Sequence, residues 1–335
     1  MAWRPGHRVS TVDAVNAPIP DPLHDPALDD HVEEMIRLAE LVAGLQGEAP
    51  DEWTVEAVAA ARGEFEAYAR NPPEVTDRFT DLGIDGPHGP IRLRVHVPDG
   101  PLRGVVLDWH GGGFFLGSPE MDDVFNLRHA AATGCVTVAA TYRMGPESPY
   151  PAGPDDAEAT ALWLLEHAVA EWGVPFNVVM GSSAGANIAA VTLQRLRDRH
   201  DALGGIVAAN LVYGVYDLTG TPSQHRLGIP TFRDLYLPTI ERRDRDDPDI
   251  SPLYGDLASM PPALFTVGTA DYLFDDSLFM AARWHAAGSP ARVAVYPACP
   301  HGFNAYPAEL ARRANETMDR WVSERLDEAV GRVES

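Results

Sequence analysis

Apolar and polar residues recur in two different rhythms along the chain. Over residues 27–45 and 55–69 the apolar positions repeat about every 3.6 residues, which predicts two amphipathic helices. Over residues 75–82 and 91–97 the pattern is typical of strands, and a Gly-Pro-His-Gly-Pro turn separates them. The N-terminal part is therefore predicted to be helical and to lead into the first strands of a sheet.

From residue 104 onward, predicted strands alternate with predicted helices. Because parallel strands are usually joined by helical crossovers, this alternation predicts an α/β fold with a mostly parallel sheet covered on both faces. Between Tyr216 and Pro262 the alternation gives way to a segment rich in Pro and Asp, too long for an ordinary loop. The strands are expected over residues 104–109, 136–141, 178–180, 206–212, 263–267 and 292–296, and the helices over 155–172, 184–199, 276–287 and 308–330.

Composition and charge narrow the classes of function. The 335 residues include 49 acidic and 26 basic side chains, and the formal net charge is −23. A surface of this charge repels nucleic acid and anionic membranes, so neither is an expected partner. Every basic residue is Arg. The absence of Lys excludes the Gly-Lys-Ser/Thr phosphate loop, kinase chemistry, pyridoxal Schiff bases and Ser-x-x-Lys hydrolases.

The cysteine content and the N-terminus bear on the compartment. Cys135 and Cys299 are too few for a disulfide framework or a Cys-rich zinc site, and two packed, free thiols in a reducing compartment are expected. The first 26 residues lack the apolar core of a signal peptide, and no window approaches the roughly 18 apolar residues of a membrane span. We therefore expect a cytoplasmic protein without a membrane anchor. Whether it forms a homodimer is left open.

The clearest chemical signature is Gly181-Ser182-Ser183-Ala184-Gly185, which follows a predicted strand and precedes a predicted helix. A Gly-x-Ser-x-Gly turn in this context lifts its central serine above the carboxyl edge of a sheet, and the glycines leave room for the tight turn. The pattern alone also occurs by chance in loops. Its place between a strand and a helix favours Ser183 as a nucleophile.

A glycine-rich segment, His110-Gly111-Gly112-Gly113, follows another predicted strand. Consecutive glycines let several backbone N–H groups point to one spot, where an oxyanion would be stabilised. A dinucleotide-binding loop is the alternative, but the glycine spacing does not fit Gly-x-Gly-x-x-Gly. We expect donors from Gly112 and Gly113 within this loop, which includes Gly111, and a third donor from the N–H of Ala184.

A serine nucleophile needs a base, and in this arrangement the acid and then the histidine follow the serine along the chain. His225 lies in the irregular 216–262 segment, and His285 lies inside a predicted helix. His301 instead follows the last predicted strand, where a loop would reach the serine. His301 is therefore the expected base.

The acid is expected one strand earlier, after residues 263–267. Asp271 lies there, three residues beyond Gly268. Asp275 and Asp276 follow closely and are expected to cap the next helix. Asp271 is therefore the expected partner of the histidine.

These motifs and two further segments resemble the bacterial hormone-sensitive-lipase family of α/β-hydrolase esterases. The resemblance covers nearly the whole chain from about residue 75. It implies an α/β-hydrolase fold and a serine carboxylesterase with Ser183, Asp271 and His301 as its catalytic triad. It also implies a helical cap. The matching segments are residues 110–114, 142–147, 181–187, 271–275 and 301–303.

The resemblance also divides the chain into parts. Residues 1–75 are expected to form cap helices and residues 216–262 a cap insertion. Residues 76–215 and 263–335 are expected to form the catalytic α/β-hydrolase domain.

Some positions depart from the family or support its motifs. Ser182 stands where the family often has Asp, and Ala186 where it often has Gly, but neither is a triad position. His110 and Glu147 are expected to support the site, the latter through an ion pair with Arg143 that braces the oxyanion loop.

The expected activity is hydrolysis of short- to medium-chain carboxylic esters through an acyl-enzyme intermediate. An amidase or a lactone hydrolase would use the same triad, because acyl-transfer machinery does not fix the leaving group. A ligand-binding receptor built on a disabled hydrolase, as in the plant gibberellin receptors that resemble this family, would be expected to lack a triad member. The expected partner is a small-molecule ester, and neither a cofactor nor a metal is expected.

Overall fold

The computed structural model describes residues 25–45, 53–68, 70–227 and 232–334. Residues 1–24, 46–52 and 69 of the expected N-terminal cap, and residues 228–231 of the expected insertion, lie outside the described part. None of the helices in the described ranges is long and apolar enough to cross a membrane.

One sheet of eight strands runs through the described part of the chain. The strands are β1 (Thr80–Ile84), β2 (Ile91–His96), β3 (Gly104–Trp109), β4 (Cys135–Ala140), β5 (Asn177–Ser182), β6 (Ile206–Val212), β7 (Ala263–Gly268) and β8 (Ala291–Tyr296). They lie side by side in the order β1-β2-β4-β3-β5-β6-β7-β8. The strand β2 pairs antiparallel with β1 and β4, and all the other neighbours are parallel. The predicted, mostly parallel α/β fold is confirmed.

Helices connect and cover these strands. The helices are α1 (Val32–Leu45), α2 (Val55–Tyr68), α3 (Pro73–Thr76), α4 (Asp123–Thr133), α5 (Ala152–Trp172), α6 (Ala184–His200), α7 (Pro222–Leu227), α8 (Phe232–Tyr236), α9 (Phe274–Ala286) and α10 (Glu309–Glu334). The 216–262 segment contributes the short helices α7 and α8 and two 3-10 turns, Arg242–Asp244 and Pro252–Tyr254.

The two faces of the sheet pack against different helices. Along β3, Val105 and Leu107 belong to a core shared with α5 and α6, whereas Val106 belongs to a second core shared with α10. Successive strand residues point to opposite faces, so a strand that is apolar throughout is buried on both sides. All six residues of β3 are buried. Its carboxyl end, like those of β5, β7 and β8, lies at the edge of the sheet where the loops with the predicted site residues begin.

Helix α4 lies in a stretch where the sequence pattern predicted no element. Its buried positions include Asp123, Asn126 and His129, which are held by polar contacts. A helix whose buried face is polar has no apolar repeat of 3.6 residues, so the pattern could not reveal it.

Two predicted elements are wrong at their N-terminal ends. The strand expected over residues 75–82 begins only at Thr80, because Pro73 lies at the start of the short helix α3. The helix expected over residues 27–45 begins with a 3-10 turn, Pro26–His31, before α1.

Candidate active site

Ser183 lies at a tight turn between β5 and α6, with a φ of 54° and a ψ of −118°, a conformation that residues other than glycine rarely adopt. The turn requires its glycines. A Cβ at Gly185 would overlap the carbonyl oxygen of Trp109, and a Cβ at Gly181 would overlap that of Gly185. The helix therefore starts directly against the end of β3, and the serine side chain is carried above the sheet edge.

Ser183, His301 and Asp271 form a continuous hydrogen-bonded chain. The Nε2 atom of His301 lies 2.9 Å from the Oγ of Ser183, and Nδ1 lies 2.9 Å from the Oδ2 of Asp271. A carboxylate accepts hydrogen bonds, so Nδ1 carries the imidazole proton and Nε2 is left to accept the serine hydroxyl. The structure thus brings together the three side chains that the sequence motifs singled out.

The surroundings of the chain fix its geometry. The side chain of Asp271 is fully buried, and its Oδ1 accepts the N–H of Leu273 at 2.8 Å. The rings of Tyr213 and Tyr272 each lie 4.7 Å from the imidazole of His301. These contacts hold the acid and the imidazole in one orientation.

The other candidate histidines are placed elsewhere. His225 lies on α7, 3.0 Å from a guanidinium nitrogen of Arg242, and His285 lies in the last turn of α9. Cys299 is a buried free thiol, as expected, and burial raises its pKa well above the usual value. None of these three side chains joins the hydrogen-bonded chain.

The glycine-rich loop presents backbone donors beside the serine. Gly112 and Gly113 have φ values of 117° and 62°, which favour glycine. A Cβ at Gly112 would also overlap the carbonyl oxygen of Leu116. Within the described residues, the backbone N–H groups of Gly112, Gly113 and Ala184 have no hydrogen-bond partner. They are free to bind an oxygen atom in the cavity.

His110 supports this loop from inside the protein. Its Nδ1 lies 2.7 Å from the carbonyl oxygen of Gly111, and its ring stacks on Tyr142. The hydroxyl of Tyr142 in turn donates to the carbonyl oxygen of His110 at 3.0 Å. Burial lowers the pKa of His110 to about 4, so the imidazole is neutral at pH 7 and its Nδ1–H donates to Gly111.

The predicted ion pair between Arg143 and Glu147 is wrong. Arg143 binds the buried carboxylate of Asp156 on α5, at 2.6 Å. Glu147 instead binds Arg62 on α2 through two contacts of 2.9 Å, and these contacts lower the pKa of Glu147. Both partners are distant in sequence, so the spacing of Arg143 and Glu147 carried no information about them.

Arg62 is a supporting residue that the sequence motifs did not reveal. Besides Glu147, its guanidinium donates to the carbonyl oxygens of Phe115 and Gly145, each at 2.7 Å. Phe115 lies two residues beyond the glycines of the loop. Arg62 therefore attaches an N-terminal helix to the loop next to Ser183.

The helix caps predicted for Asp275 and Asp276 are also wrong, since both side chains bind the 216–262 segment. Asp275 accepts the N–H of Ser223 at 2.7 Å. Asp276 is buried, and burial raises its pKa to about 7. It accepts hydrogen bonds of 2.7–3.0 Å from the N–H groups of Tyr216 and Asp217 and from the side chains of Thr221 and Gln224.

A cavity of about 740 Å³ opens at Ser183 and His301. The glycine loop and Ser182 line it, and Phe65 reaches it from α2. No group of three or more His, Cys, Asp or Glu side chains in the described ranges is arranged to hold a metal ion. The cavity thus combines a serine within hydrogen-bonding distance of an imidazole with free N–H donors, the groups that acyl transfer requires.

Comparison with known proteins agrees with this geometry. A family model described as alpha/beta hydrolase fold matches residues 106–305. Esterase LipI of Mycobacterium tuberculosis is 31% identical over 314 residues, which cover 88% of this chain and 96% of LipI. The acetyl esterase of Salmonella typhi is 28% identical over 247 residues, 70% of this chain and 75% of that protein. Among solved structures, a hyperthermophilic esterase from the archaeon Pyrobaculum calidifontis has a TM-score of 0.73 at 31% identity, covering 80% of this chain and 93% of that one.

Proposed function

Because this chain belongs to the bacterial hormone-sensitive-lipase family of α/β-hydrolases and is a carboxylic ester hydrolase, we propose that it is a serine esterase for short- to medium-chain esters, with Ser183, His301 and Asp271 as its triad. The observation that carries the proposal is the hydrogen-bonded chain from Ser183 through His301 to Asp271, at the wall of a cavity. We place the reaction in the cytoplasm, since buried free thiols suit a reducing compartment.

The first half of the reaction forms an acyl-enzyme. His301 accepts the hydroxyl proton of Ser183 at Nε2 while Oγ attacks the ester carbonyl carbon. Asp271 keeps the second imidazole proton on Nδ1 and stabilises the imidazolium. When the tetrahedral intermediate collapses, the alcohol leaves and takes the proton from Nε2.

The second half releases the acid by the same route. His301 removes a proton from water as the water oxygen attacks the acyl carbon, and the proton then returns to Oγ of Ser183. In both halves the negative charge on the former carbonyl oxygen is stabilised by the N–H groups of Gly112, Gly113 and Ala184. Such donors matter most in the transition state, where that charge is largest.

Residues around the triad are assigned supporting roles. His110 and the Arg62–Glu147 pair hold the glycine-rich loop, so they act on the reaction through the position of its N–H groups. We assign the N-terminal helices and the 216–262 segment to a cap over the catalytic domain. The presence of Phe65 in the cavity wall supports this assignment for α2.

Three observations favour small esters. The cavity volume of about 740 Å³ lies in the usual range for small-molecule sites. The net charge of −23 opposes binding to anionic lipid interfaces. A relative that covers 70% of the chain is an acetyl esterase.

A chain-length series tests the proposal. Purified protein is assayed with p-nitrophenyl esters from acetate to palmitate, with matched amides and lactones alongside. We expect the highest kcat/KM between acetyl and octanoyl esters, and no hydrolysis by protein inactivated with a fluorophosphonate. Faster turnover of emulsified long-chain triglycerides, amides or lactones would contradict it.

A further inference from the structure

We infer that the substrate cavity contains an acidic subsite, formed by Asp108 and Asp122, that binds a protonated amine on the ester substrate. The inference rests on the proposed ester hydrolysis and adds a substrate class for the same cavity.

Asp108 occupies a position where an apolar side chain would be expected. It lies on β3 beside Met180 of β5, and both residues line the cavity with Ser183. Only 3% of Asp108 is exposed. Its Oδ2 accepts a hydrogen bond from the amide of Asn126 at 3.2 Å, and no partner of its Oδ1 is found among the described residues. A buried carboxyl group therefore faces the cavity with a single hydrogen bond.

Asp122 brings a second carboxyl group to the same wall. It ends the 3-10 turn Pro119–Asp122, and its buried Oδ2 has no hydrogen-bond partner in the described part of the chain. Burial raises the pKa of Asp108 to about 6. Burial and the neighbouring charge of Asp108 raise the pKa of Asp122 well above its usual value. Both shifts indicate carboxyl groups that lack a compensating positive charge.

The nearby arginines do not supply that charge, because each is bound to another carboxylate. The pairs are Arg92 with Glu120, Arg94 with Asp123, and Arg128 with Asp319. Among the described residues, neither Asp108 nor Asp122 forms an ion pair. A buried carboxyl group without a cation is costly for the fold, so its presence in a cavity wall is explained if the ligand brings the cation.

An ammonium group meets the requirements of this subsite. It carries the missing positive charge and three N–H donors, which suit two carboxyl groups with free oxygen atoms. Met121, Phe125 and Met180 line the same cavity and offer apolar contacts to the alkyl chain. The net charge of −23 further favours the approach of cationic substrates over anionic ones.

Matched esters test the inference in the wild-type protein. On the acyl side, ethyl 6-aminohexanoate is compared with ethyl heptanoate, which replaces the ammonium by a methyl group. On the alcohol side, 2-(dimethylamino)ethyl butanoate is compared with 3-methylbutyl butanoate. Because the cation Arg128 also lines the cavity, an anionic ester, monoethyl adipate, is included in the comparison. In at least one pair, we expect kcat/KM to be about tenfold higher for the amine, because a close charge pair in a binding site contributes at least this much. The adipate ester should have the lowest kcat/KM.

Variants then assign the preference to the two carboxyl groups. Asp108→Asn and Asp122→Asn keep the side-chain shape, and each should lower the amine-to-alkyl ratio of kcat/KM about tenfold. The control, Asp85→Asn, makes the same substitution at an exposed position and should leave the ratio unchanged. Fluorophosphonate labelling of Ser183 checks that each variant has kept its site.

Two results would overturn the inference. One is a wild-type ratio near one in both pairs or a preference for the adipate, and this result does not depend on any variant. The other is an amine preference that survives in both Asn variants. Failure of the proposed function would give a different result, because none of the esters, charged or neutral, would then be hydrolysed.

Discussion

The guanidinium of Arg62 donates a 2.7 Å hydrogen bond to the carbonyl oxygen of Phe115, and so an N-terminal helix is attached to the loop beside the proposed nucleophile. The same side chain binds Gly145 and Glu147. Residues from two separate parts of the chain therefore bind one cation that comes from a third. The position of the glycine-rich loop depends on a helix that lies outside the α/β core.

We predict that Arg62→Gln lowers kcat about tenfold with a smaller effect on KM, because the loop donors lose their support while the cavity keeps its lining. Loss of the charged hydrogen bonds should also cost about 1–3 kcal/mol of stability. Steady-state kinetics with p-nitrophenyl butyrate and thermal unfolding measure both effects. Arg37→Gln is the control, since among the residues that the structure describes Arg37 pairs only with Glu33, at an exposed position on α1. An unchanged kcat in Arg62→Gln would show that the loop is positioned without this contact.

Ser183→Ala should keep the fold and lose about 10⁴- to 10⁶-fold in kcat, as for other triad nucleophiles. A fluorophosphonate probe should label the wild-type protein once, at Ser183, as read by peptide mass spectrometry. Ser182→Ala should still be labelled, because the hydrogen bond to Nε2 of His301 comes from Ser183 and not from Ser182. Labelling at Ser182, or no labelling of the wild type, would rule out Ser183 as the nucleophile.

Gly113→Ala should reduce kcat more than it raises KM, by about 10²- to 10³-fold if one oxyanion donor is lost. The added methyl group disfavours the φ of 62°, so the peptide would rotate and its N–H would point elsewhere. Gly112→Ala should act in the same direction and also destabilise the protein, because of its overlap with Leu116. Kinetics and thermal unfolding of both variants test this expectation. An effect confined to KM would mean that the glycines only line the substrate cavity.

Asp271→Asn should cost about 10⁴-fold in kcat with little loss of stability, because an amide favours the wrong tautomer of His301. The matched control is Asp275→Asn, because the Asp275 side chain binds Ser223 whereas the imidazole binds Asp271. An Asn oxygen accepts the same N–H, so kcat should stay within a few-fold. The opposite ranking of the two variants would move the catalytic acid to Asp275.

Acidification should destabilise the protein through His110. The pKa of this buried imidazole is about 4 in the fold and about 6.5 in the unfolded chain, so between these values the unfolded state binds the extra proton. The free energy of unfolding is therefore highest above pH 6.5. Through His110 alone it falls by roughly 3 kcal/mol as the pH approaches 4. Urea unfolding of wild type and His110→Asn across this range isolates the effect. A difference in stability that does not vary with pH would contradict it.

The meeting of Ser183, Asp271 and His301 could be predicted from the sequence, because each side chain follows a strand at the same edge of a parallel sheet. Ser183, Asp271 and His301 follow β5, β7 and β8, and the chain order of these strands is enough to bring their loops together. The apolar runs that mark the strands are local features, and the bounds of β3 and β6 match the prediction.

The supporting contacts could not be predicted, since they depend on partners far apart along the chain. Arg62 and Glu147 are separated by 85 positions, and no local sequence pattern predicts that they pair. Asp276 looked like a helix cap because its local sequence fits one, but tertiary contacts with the 216–262 segment use its carboxylate instead. Helix α4 was not predicted because its buried face carries polar side chains in place of an apolar stripe.

The hydrogen bonds of Asp276 also set a practical limit on the design of chimaeras. A cap exchange that cut the chain at residue 216 would remove the two side-chain donors of the buried Asp276, Thr221 and Gln224, and would supply its two backbone donors from a foreign segment. The first residues of the segment, up to Gln224, are thus better kept with α9 and the catalytic scaffold. Grafted sequences from other esterases should begin beyond that point, so that the hydrogen bonds between the start of the segment and Asp276 are kept.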